Sequence, residues 1–270
     1  MSAALENRRI PNADPAGTAW REAPVAVLPT ARRIRTVFNG RTIVDTTEAL
    51  VLFEHDHLPV YYLPVKDIDE SVLVPTDKTS HCPRKGDASY WSIVVGDRTA
   101  EHAVWGYETN PVEGAPDLSG YRAVYWNAVD HWYEEDEEVF VHARDPFKRV
   151  DALRSSRHVR VELDGIVLAE THRPTLVFET SLPTRHYIPR SDVKHEVLHD
   201  SETVTACPYK GRAHYYSAQV GDRRVEDIAW TYTFPVPEIP KIEQHVAFYD
   251  EQVDTYVDGV LQERPETAWS

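Results

Sequence analysis

The chain has 270 residues and a formal net charge of −15, from 44 acidic and 29 basic residues. Nucleic-acid binding surfaces need clustered Lys and Arg, so this balance argues against nucleic acid as a partner. The two cysteines are too few for a disulfide scaffold or a four-thiolate zinc site. No stretch reaches the roughly 20 apolar residues of a membrane span. We therefore expect a cytoplasmic protein without a membrane partner.

The sequence repeats itself with a shift of 125 residues. The matched segments are Phe53-Glu54 with Phe178-Glu179, Tyr62-Leu63-Pro64 with Tyr187-Ile188-Pro189, Cys82-Pro83-Arg84-Lys85-Gly86 with Cys207-Pro208-Tyr209-Lys210-Gly211, and Trp105-x-Tyr107 with Trp230-x-Tyr232. A period this long indicates a duplicated domain, because the units of solenoids run about 20–50 residues. We predict an N-terminal extension at 1–30, a first repeat at 31–150 and a second repeat at 151–270.

Within each repeat, apolar and polar residues alternate with a period of two, which predicts β-strands. Asn39-Gly40 and its counterpart Asp164-Gly165 indicate two-residue type I′ hairpin turns, because these residues accept positive φ. Short helices are expected at residues 47–54 and 174–179, and single helical turns at 66–73 and 191–198. The predicted fold class is therefore all-β, with two tandem domains of antiparallel sheets and a few short helical turns.

The segment Val95-Gly96-Asp97-Arg98 is typical of a type II′ hairpin turn with Gly first in the loop. In a regular hairpin the cross-strand pairs on one face are then Ser92–Glu101, Tyr90–Ala103, Ala88–Trp105 and Gly86–Tyr107, and in the second repeat Ser217–Glu226, Tyr215–Ile228, Ala213–Trp230 and Gly211–Tyr232. This face is nearly identical in the two repeats. A bulge in the hairpin would exchange its faces.

Two interpretations of this face are open. It is either core, in which alanine makes room for tryptophan, or a ligand pocket, in which small residues opposite large rings leave a concavity. A buried glutamate needs a donor, and Lys85 and Lys210 are the nearest cations in the sequence. The residues that would bind the ligand are Lys85, Tyr90, Glu101, Trp105, Tyr107, Lys210, Tyr215, Glu226, Trp230 and Tyr232.

The Cys-Pro-x-Lys-Gly segment predicts a tight turn, with proline at the second position and a glycine of positive φ at the exit. The turn would bring a thiol close to an ammonium group, which favours the reactive thiolate. Cys82, Lys85, Cys207 and Lys210 are therefore the catalytic candidates. The competing interpretation is a buried structural cysteine beside a lysine paired with the glutamate of its repeat.

The thirteen histidines do not predict a metal site. His55 and His57 would share a strand face, and His195 and His199 a helix face, but neither pair recurs in the other repeat, and two ligands do not close a zinc site. Glycine-rich phosphate loops and hydrolase motifs are absent from the sequence. We expect no metal and no cofactor.

These motifs resemble those of a bacterial and fungal family catalogued as domain of unknown function 427. The resemblance rests on the two Tyr-x-Pro segments, each followed by an aspartate, on the two Cys-Pro-x-Lys-Gly-x-Ala-x-Tyr segments, on Trp230-x-Tyr232, and on the closing segments Val246-Ala247-Phe248-Tyr249 and Val257-Asp258-Gly259. It implies a compact fold similar to the β-tent, with two antiparallel sheets in each domain.

The resemblance also bears on function. Relatives of the β-tent architecture bind small ligands in an aromatic cage, often beside a four-cysteine zinc, and this chain lacks those cysteines. The family is sometimes labelled nucleotidyltransferase-like, but no paired metal-binding aspartates or phosphate loop support that activity here. Repeat one departs from the family pattern, with Gly106 and Glu108 around Tyr107 where repeat two has Thr231 and Thr233.

The sequence favours a small-molecule-binding module whose pocket is built from Tyr, Trp and Lys of one or both repeats. The alternative is an enzyme that uses Cys207 or Lys210 at the mouth of the pocket. A third interpretation is a structural or interaction protein in which the repeated face is core.

Overall fold

The computed structural model describes residues 23–55, 57–109, 112–268 and 270. The chain divides into two compact units, Met1–Arg144 and Asp145–Ser270. Each unit contains two antiparallel sheets, and the described residues form no helix of seven or more residues. The all-β prediction is confirmed.

The strands of the first unit, in chain order, are β1 Val25–Pro29, β2 Ile34–Phe38, β3 Arg41–Thr46, β4 Leu50–Glu54, β5 Val60–Pro64, β6 Leu73–Cys82, β7 Gly86–Val95, β8 Arg98–Thr109, β9 Tyr121–Val124, β10 His131–Glu134 and β11 Glu137–Val139. Short 3-10 turns lie at Val65–Asp67, Glu70–Val72 and Trp126–Ala128.

The strands of the second unit are β12 Val150–Arg154, β13 Val159–Leu163, β14 Ile166–Thr171, β15 Thr175–Glu179, β16 Arg185–Pro189, β17 Leu198–Cys207, β18 Gly211–Val220, β19 Arg223–Thr231, β20 His245–Phe248, β21 Asp254–Val257 and β22 Val260–Leu261. Its 3-10 turns lie at Arg190–Asp192, His195–Val197 and Pro240–Ile242.

The two units share one topology. The larger sheet has seven strands, in the order β1-β4-β5-β9-β8-β7-β6 in the first unit and β12-β15-β16-β20-β19-β18-β17 in the second. The smaller sheet has four strands, in the order β11-β10-β2-β3 and, read from the matching edge, β22-β21-β13-β14. The repeat in sequence is therefore a repeat of the complete pair of sheets.

Three local features differ from or agree with the sequence predictions. Residues 25–29, assigned to the extension, form β1 at the edge of the seven-stranded sheet, and β12 is its counterpart 125 residues later; residues 1–22 of that extension lie outside the described part. The helices expected at 47–54 and 174–179 are wrong, because β4 and β15 occupy these positions. The helical turns expected near 66–73 and 191–198 are confirmed as 3-10 turns.

The predicted type I′ turns are also confirmed. Asn39 and Gly40 have φ of 49° and 73°, and Asp164 and Gly165 have φ of 51° and 79°. Both turns join the first two strands of a four-stranded sheet. Because both central φ values are positive, the turn twist matches the right-handed twist of the strands.

Each seven-stranded sheet is apolar on both faces. One face packs on the four-stranded sheet and forms an inner core, which in the first unit includes Ile34, Trp91, Ile93 and Val104. The opposite face carries a separate group of buried side chains, here called the outer cluster. In the first unit it comprises Leu50, Leu52, Tyr62, Leu118 and Ala123 with Trp105, Tyr107 and Tyr121 against them, and in the second Val177, Tyr187, Ala213, Trp230, Tyr232, Ile239, Ile242 and Ala247.

Candidate functional site

The β7–β8 hairpin keeps the predicted register only beside its loop. Ile93 lies opposite Ala100 as predicted, but Trp91 lies opposite Val104, so β8 contains two extra residues between these pairs. The irregularity centres on His102, which has φ of 52° and donates its backbone N–H to Ser92 Oγ at 3.1 Å.

The second repeat has the same irregularity at Asp227, whose φ is 53° and whose N–H donates to Ser217 Oγ at 3.2 Å. As a result, Tyr215 lies opposite Trp230, and Tyr90 lies opposite Trp105 in the first repeat. The predicted opposition of small residues to large rings is therefore wrong. Because the shift is an even number of residues, the rings still point to the predicted face.

The bulge changes the surroundings of four residues that were predicted on that face. Glu101 and Glu226 are exposed, and Glu226 accepts hydrogen bonds from Ser217 Oγ at 2.5 Å and Arg224 Nε at 2.6 Å. Ala103 and Ile228, which were predicted opposite Tyr90 and Tyr215, pack instead in the inner cores. The expected ion pairs of Glu101 and Glu226 with the lysines are wrong.

Each lysine of the Cys-Pro-x-Lys-Gly turn instead pairs with a glutamate from an earlier strand. Lys85 Nζ binds Glu54 at the end of β4, and the side chains are 8% and 10% exposed. Lys210 Nζ binds Glu179 at the end of β15 in the same way. A lysine and a carboxylate buried to this extent are stable only as a pair, because each isolated charge would lose its hydration.

These ion pairs require each seven-stranded sheet to curl. Glu54 ends β4 and Lys85 precedes β7, and three strands lie between them in the sheet order. In a flat sheet four strand spacings separate them by about 19 Å, which is more than the two side chains span. The contact therefore shows that the sheet bends around the outer cluster, which lies on its concave side.

The aromatic residues in and beside the outer cluster have the same arrangement in both repeats. Tyr62 meets Trp105 edge-on, with centroids 6.5 Å apart and planes at 83°, and Trp105 lies 4.4 Å from Tyr125. The corresponding distances in repeat two are 6.3 Å at 86° for Tyr187 and Trp230, and 4.6 Å for Trp230 and Tyr249. In repeat one Tyr125 is 44% exposed, so the group reaches the surface.

A second shared feature is a row of hydroxyl groups at the open side of the cluster. The Tyr90 hydroxyl and Ser80 Oγ are hydrogen-bonded at 2.8 Å. Burial, followed by the hydrogen bond with Tyr90, raises the pKa of Tyr125 to about 12. In repeat two Tyr215 bonds Thr205 Oγ1 at 2.9 Å.

The pKa of Tyr249 is likewise raised by burial and by the hydroxyl of Tyr215. At neutral pH Tyr125 and Tyr249 are therefore protonated, so their hydroxyls can donate hydrogen bonds.

The geometry of the Cys-Pro-x-Lys-Gly turn is confirmed. Lys85 N donates to Cys82 O at 3.2 Å, and Gly86 leaves the turn with φ of 104°. Cys82 is a free, partly buried thiol beside the Tyr107 hydroxyl, and burial together with this thiol raises the pKa of Tyr107. The turn of repeat two has the same hydrogen bond, from Lys210 N to Cys207 O at 3.4 Å. The catalytic roles of these residues stay predictions.

Several residues in or beside the outer cluster were not predicted from the sequence. They are Glu54, Tyr62, Ser80 and Tyr125 in repeat one and Glu179, Tyr187, Thr205 and Tyr249 in repeat two. The signal was present, because Glu54 and Tyr62 lie in segments that recur with the 125-residue shift. Nothing in the sequence indicates that these segments contact the hairpin.

Neither histidine pair is arranged as predicted, and His55 and His57 share no strand face because β4 ends at Glu54. His195 lies in a 3-10 turn and bonds Arg190 O at 2.8 Å, whereas His199 lies in β17, so they do not share a helix. Across the described residues, no group of three or more His, Cys, Asp or Glu is arranged to hold a metal ion. The same residues contain no helix that is long and apolar enough to cross a membrane.

Comparison with known proteins agrees with the duplicated fold. The family described as Domain of unknown function (DUF427) matches residues 26–135 and 151–259, about four fifths of the chain. The chain therefore belongs to this family and contains two tandem copies of its domain. Among curated proteins no match was found.

Proposed function

We propose that each repeat of this DUF427 protein is a small-molecule-binding module, with its ligand against the open side of the outer cluster. The observation that carries the proposal is the double occurrence of one arrangement: a Tyr–Trp–Tyr group, a pair of hydrogen-bonded hydroxyl groups and a buried Lys–Glu pair. A core that needed only apolar burial would not require this polar set twice.

The arrangement suggests the chemistry of the ligand. Each lysine of the turn is neutralised by its glutamate, so these two ammonium groups offer no strong attraction for a phosphate group. The flat face of Trp105 and the hydroxyls of Tyr90 and Tyr125 suit a neutral molecule that has an apolar face and hydrogen-bond acceptors. Small cyclic amides and sugars meet this description better than nucleotides do.

A cysteine or lysine enzyme is the less favoured function. The ammonium groups of Lys85 and Lys210 bind carboxylates, so they are poorly placed to act as nucleophiles. The two functions separate experimentally, because a Cys82→Ser/Cys207→Ser double variant retains ligand affinity if the protein is a binding module and loses turnover if the thiols are nucleophiles.

A thermal-shift screen with cyclic amides, sugars and nucleotides tests the proposal. A ligand at 100 times its dissociation constant stabilises its site by about 2.7 kcal/mol. The Tyr90→Phe and Tyr215→Phe variants delete only a hydroxyl group and are expected to reduce the shift for the repeat that binds. Tyr133→Phe and Tyr256→Phe are matched controls, because these rings lie in the four-stranded sheets beneath Arg35 and Arg160.

Two results would count against binding at the outer cluster. One is that no compound raises the unfolding temperature. The other is that a shift is the same in the hydroxyl-deletion variants and the controls. Either result would favour the interpretation that the outer cluster is structural.

A further inference from the structure

Three aromatic rings fill one end of the inner core in repeat one. Trp126 and Trp132 are stacked, with centroids 4.5 Å apart and planes at 9°, and Tyr61 lies 6.5 Å and 6.1 Å from them. The Tyr61 hydroxyl donates to Glu134 Oε1 at 2.5 Å, and Trp132 Nε1 donates to the carbonyl of Trp126 at 3.2 Å. The Tyr61 hydroxyl and the indole N–H of Trp132 thus have their partners inside the repeat.

Repeat two has small or polar residues at the same three places. His186 takes the position of Tyr61 in the strand that is 125 residues later. Asp250 takes the position of Trp126, because each directly follows a tyrosine that makes the same backbone hydrogen bond. The carbonyl of Tyr125 accepts from Ala128 N at 3.0 Å, and the carbonyl of Tyr249 accepts from Gln252 N at 2.8 Å.

The third replacement follows from strand register. Trp132 pairs with Thr36 in repeat one, and Thr255 pairs with Val161, which is 125 residues after Thr36. Thr255 therefore stands where Trp132 stands. Repeat two has lost all three rings of the aromatic group.

Repeat two, which has none of these rings, has at this place a cavity of about 250 Å³ that is partly open to solvent, and His186, Asp250 and Thr255 all line it. Leu176, Phe178 and Val257 form part of its apolar wall. An apolar cavity of about 150 Å³ is large enough to bind benzene, so this space is large enough for a bicyclic aromatic molecule. It lies on the inner face of the larger sheet, whereas Tyr187 and Trp230 lie on the outer face.

The polar side chains of the cavity wall are held in place, but not all of their hydrogen-bonding atoms have a partner. Asp250 Oδ1 accepts from Thr255 Oγ1 at 2.6 Å, and Asp250 Oδ2 accepts from Arg185 Nη1 at 3.3 Å. His186 Nδ1 is buried without a hydrogen-bond partner among the described residues, and Asp250 Oδ1 lies 4.0 Å away. The wall therefore holds a carboxylate and an imidazole whose hydrogen-bonding capacity is only partly used within the repeat.

We propose that repeat two contains a second ligand site, distinct from the outer cluster, that binds a small neutral aromatic molecule carrying an N–H or O–H donor. Its ring occupies the space that Tyr61, Trp126 and Trp132 fill in repeat one, and its donor binds His186 or Asp250. The indole and phenol groups of repeat one show which chemistry fits this space.

Indole titrated into the full chain, followed by calorimetry, tests the proposal. Indene has the same shape but no N–H, and we expect it to bind about tenfold more weakly, because one hydrogen bond to the buried wall is lost. A His186→Tyr/Thr255→Trp variant restores two of the missing rings and is expected to abolish indole binding while its unfolding temperature stays equal or rises. Tyr215→Phe, at the outer cluster, should leave the indole affinity unchanged.

The proposal is overturned if indole does not bind at millimolar concentration, if indene binds as tightly, or if the refilled variant keeps the affinity. The comparison of indole with indene uses the unaltered protein, so it remains decisive even if the refilled variant does not fold. Loss of indole binding in Tyr215→Phe would place the ligand at the outer cluster and would likewise refute a separate site.

Discussion

Replacement of Glu54 by leucine removes the carboxylate that neutralises Lys85 inside the curled sheet. The two side chains are 10% and 8% exposed, and Lys85 has no other carboxylate in contact among the described residues. Removing one partner of a pair buried to this degree costs about 3–5 kcal/mol, because the remaining charge is left without water or counter-charge. We expect Glu54→Leu to lower the free energy of unfolding by about this amount.

The reverse change should cost less. In Lys85→Met the carboxylate of Glu54 keeps Arg84, whose Nη1 lies 3.4 Å from it and whose side chain is 37% exposed. We expect a loss of about 2 kcal/mol. The double variant Glu54→Leu/Lys85→Met has no buried charge at this place, so its stability should lie within about 1 kcal/mol of the unaltered protein.

Urea denaturation followed by tryptophan fluorescence measures these differences. Four of the five tryptophans in the part of the chain that the structure describes lie in the first unit, so the signal reports mainly the unfolding of that unit. With a slope of about 2 kcal/mol per molar urea, Glu54→Leu should shift the midpoint by about 2 M. Glu179→Leu and Lys210→Met provide the matched series in the second unit, where Trp230 is the reporter among the described tryptophans.

A loss of less than about 1 kcal/mol in both single variants would refute this prediction, because Lys85 and Glu54 would then behave as a solvated surface pair. The prediction also fails if the double variant is as unstable as Glu54→Leu, since the loss would then come from packing rather than from an unpaired charge.

Three further predictions concern other parts of the fold. Gly211→Ala should lower the free energy of unfolding by more than about 2 kcal/mol in urea denaturation, because φ is +103° and the new Cβ would lie 3.2 Å from a backbone carbonyl. Gly165→Ala should lower it by only about 1 kcal/mol, because φ is +79° but the space around the new Cβ is open. Tyr61→Phe should cost about 1.5–3 kcal/mol in the same assay, because its carboxylate partner loses a buried hydrogen bond. Hydrogen bonds from Arg173 hold the pKa of Asp192 well below its usual 3.8. The ionised Asp192 therefore stabilises the folded protein fully above about pH 4, and this contribution is lost as the pH falls through the native pKa. In an acid titration, the free energy of unfolding of Asp192→Asn should decline less steeply than that of the unaltered protein.

Much of the fold could be predicted because it depends on neighbouring residues. The positive φ at Asn39-Gly40 follows from the conformational freedom of those two residues. The turn at Cys82 follows from proline and glycine at fixed offsets. The period-two pattern is likewise local, and the 125-residue shift identified two equivalent domains without any knowledge of contacts.

The bulge at His102 could not be predicted from neighbouring residues. A regular hairpin and one with two extra residues use the same loop, and nothing between Ser92 and His102 in sequence distinguishes them. The choice depends on which side chains the four-stranded sheet accepts into the inner core, where Trp91 and Val104 are buried.

The sequence by itself determined that two β domains carry one shared set of tyrosine, tryptophan, cysteine and lysine residues. Only the tertiary structure decided what these residues meet. Lys85 pairs with Glu54, 31 residues away, because the larger sheet curls and brings distant strands together. The inner cavity of repeat two is decided in the same way, since the loss of ring volume at His186, Asp250 and Thr255 creates a space only when three separate segments converge.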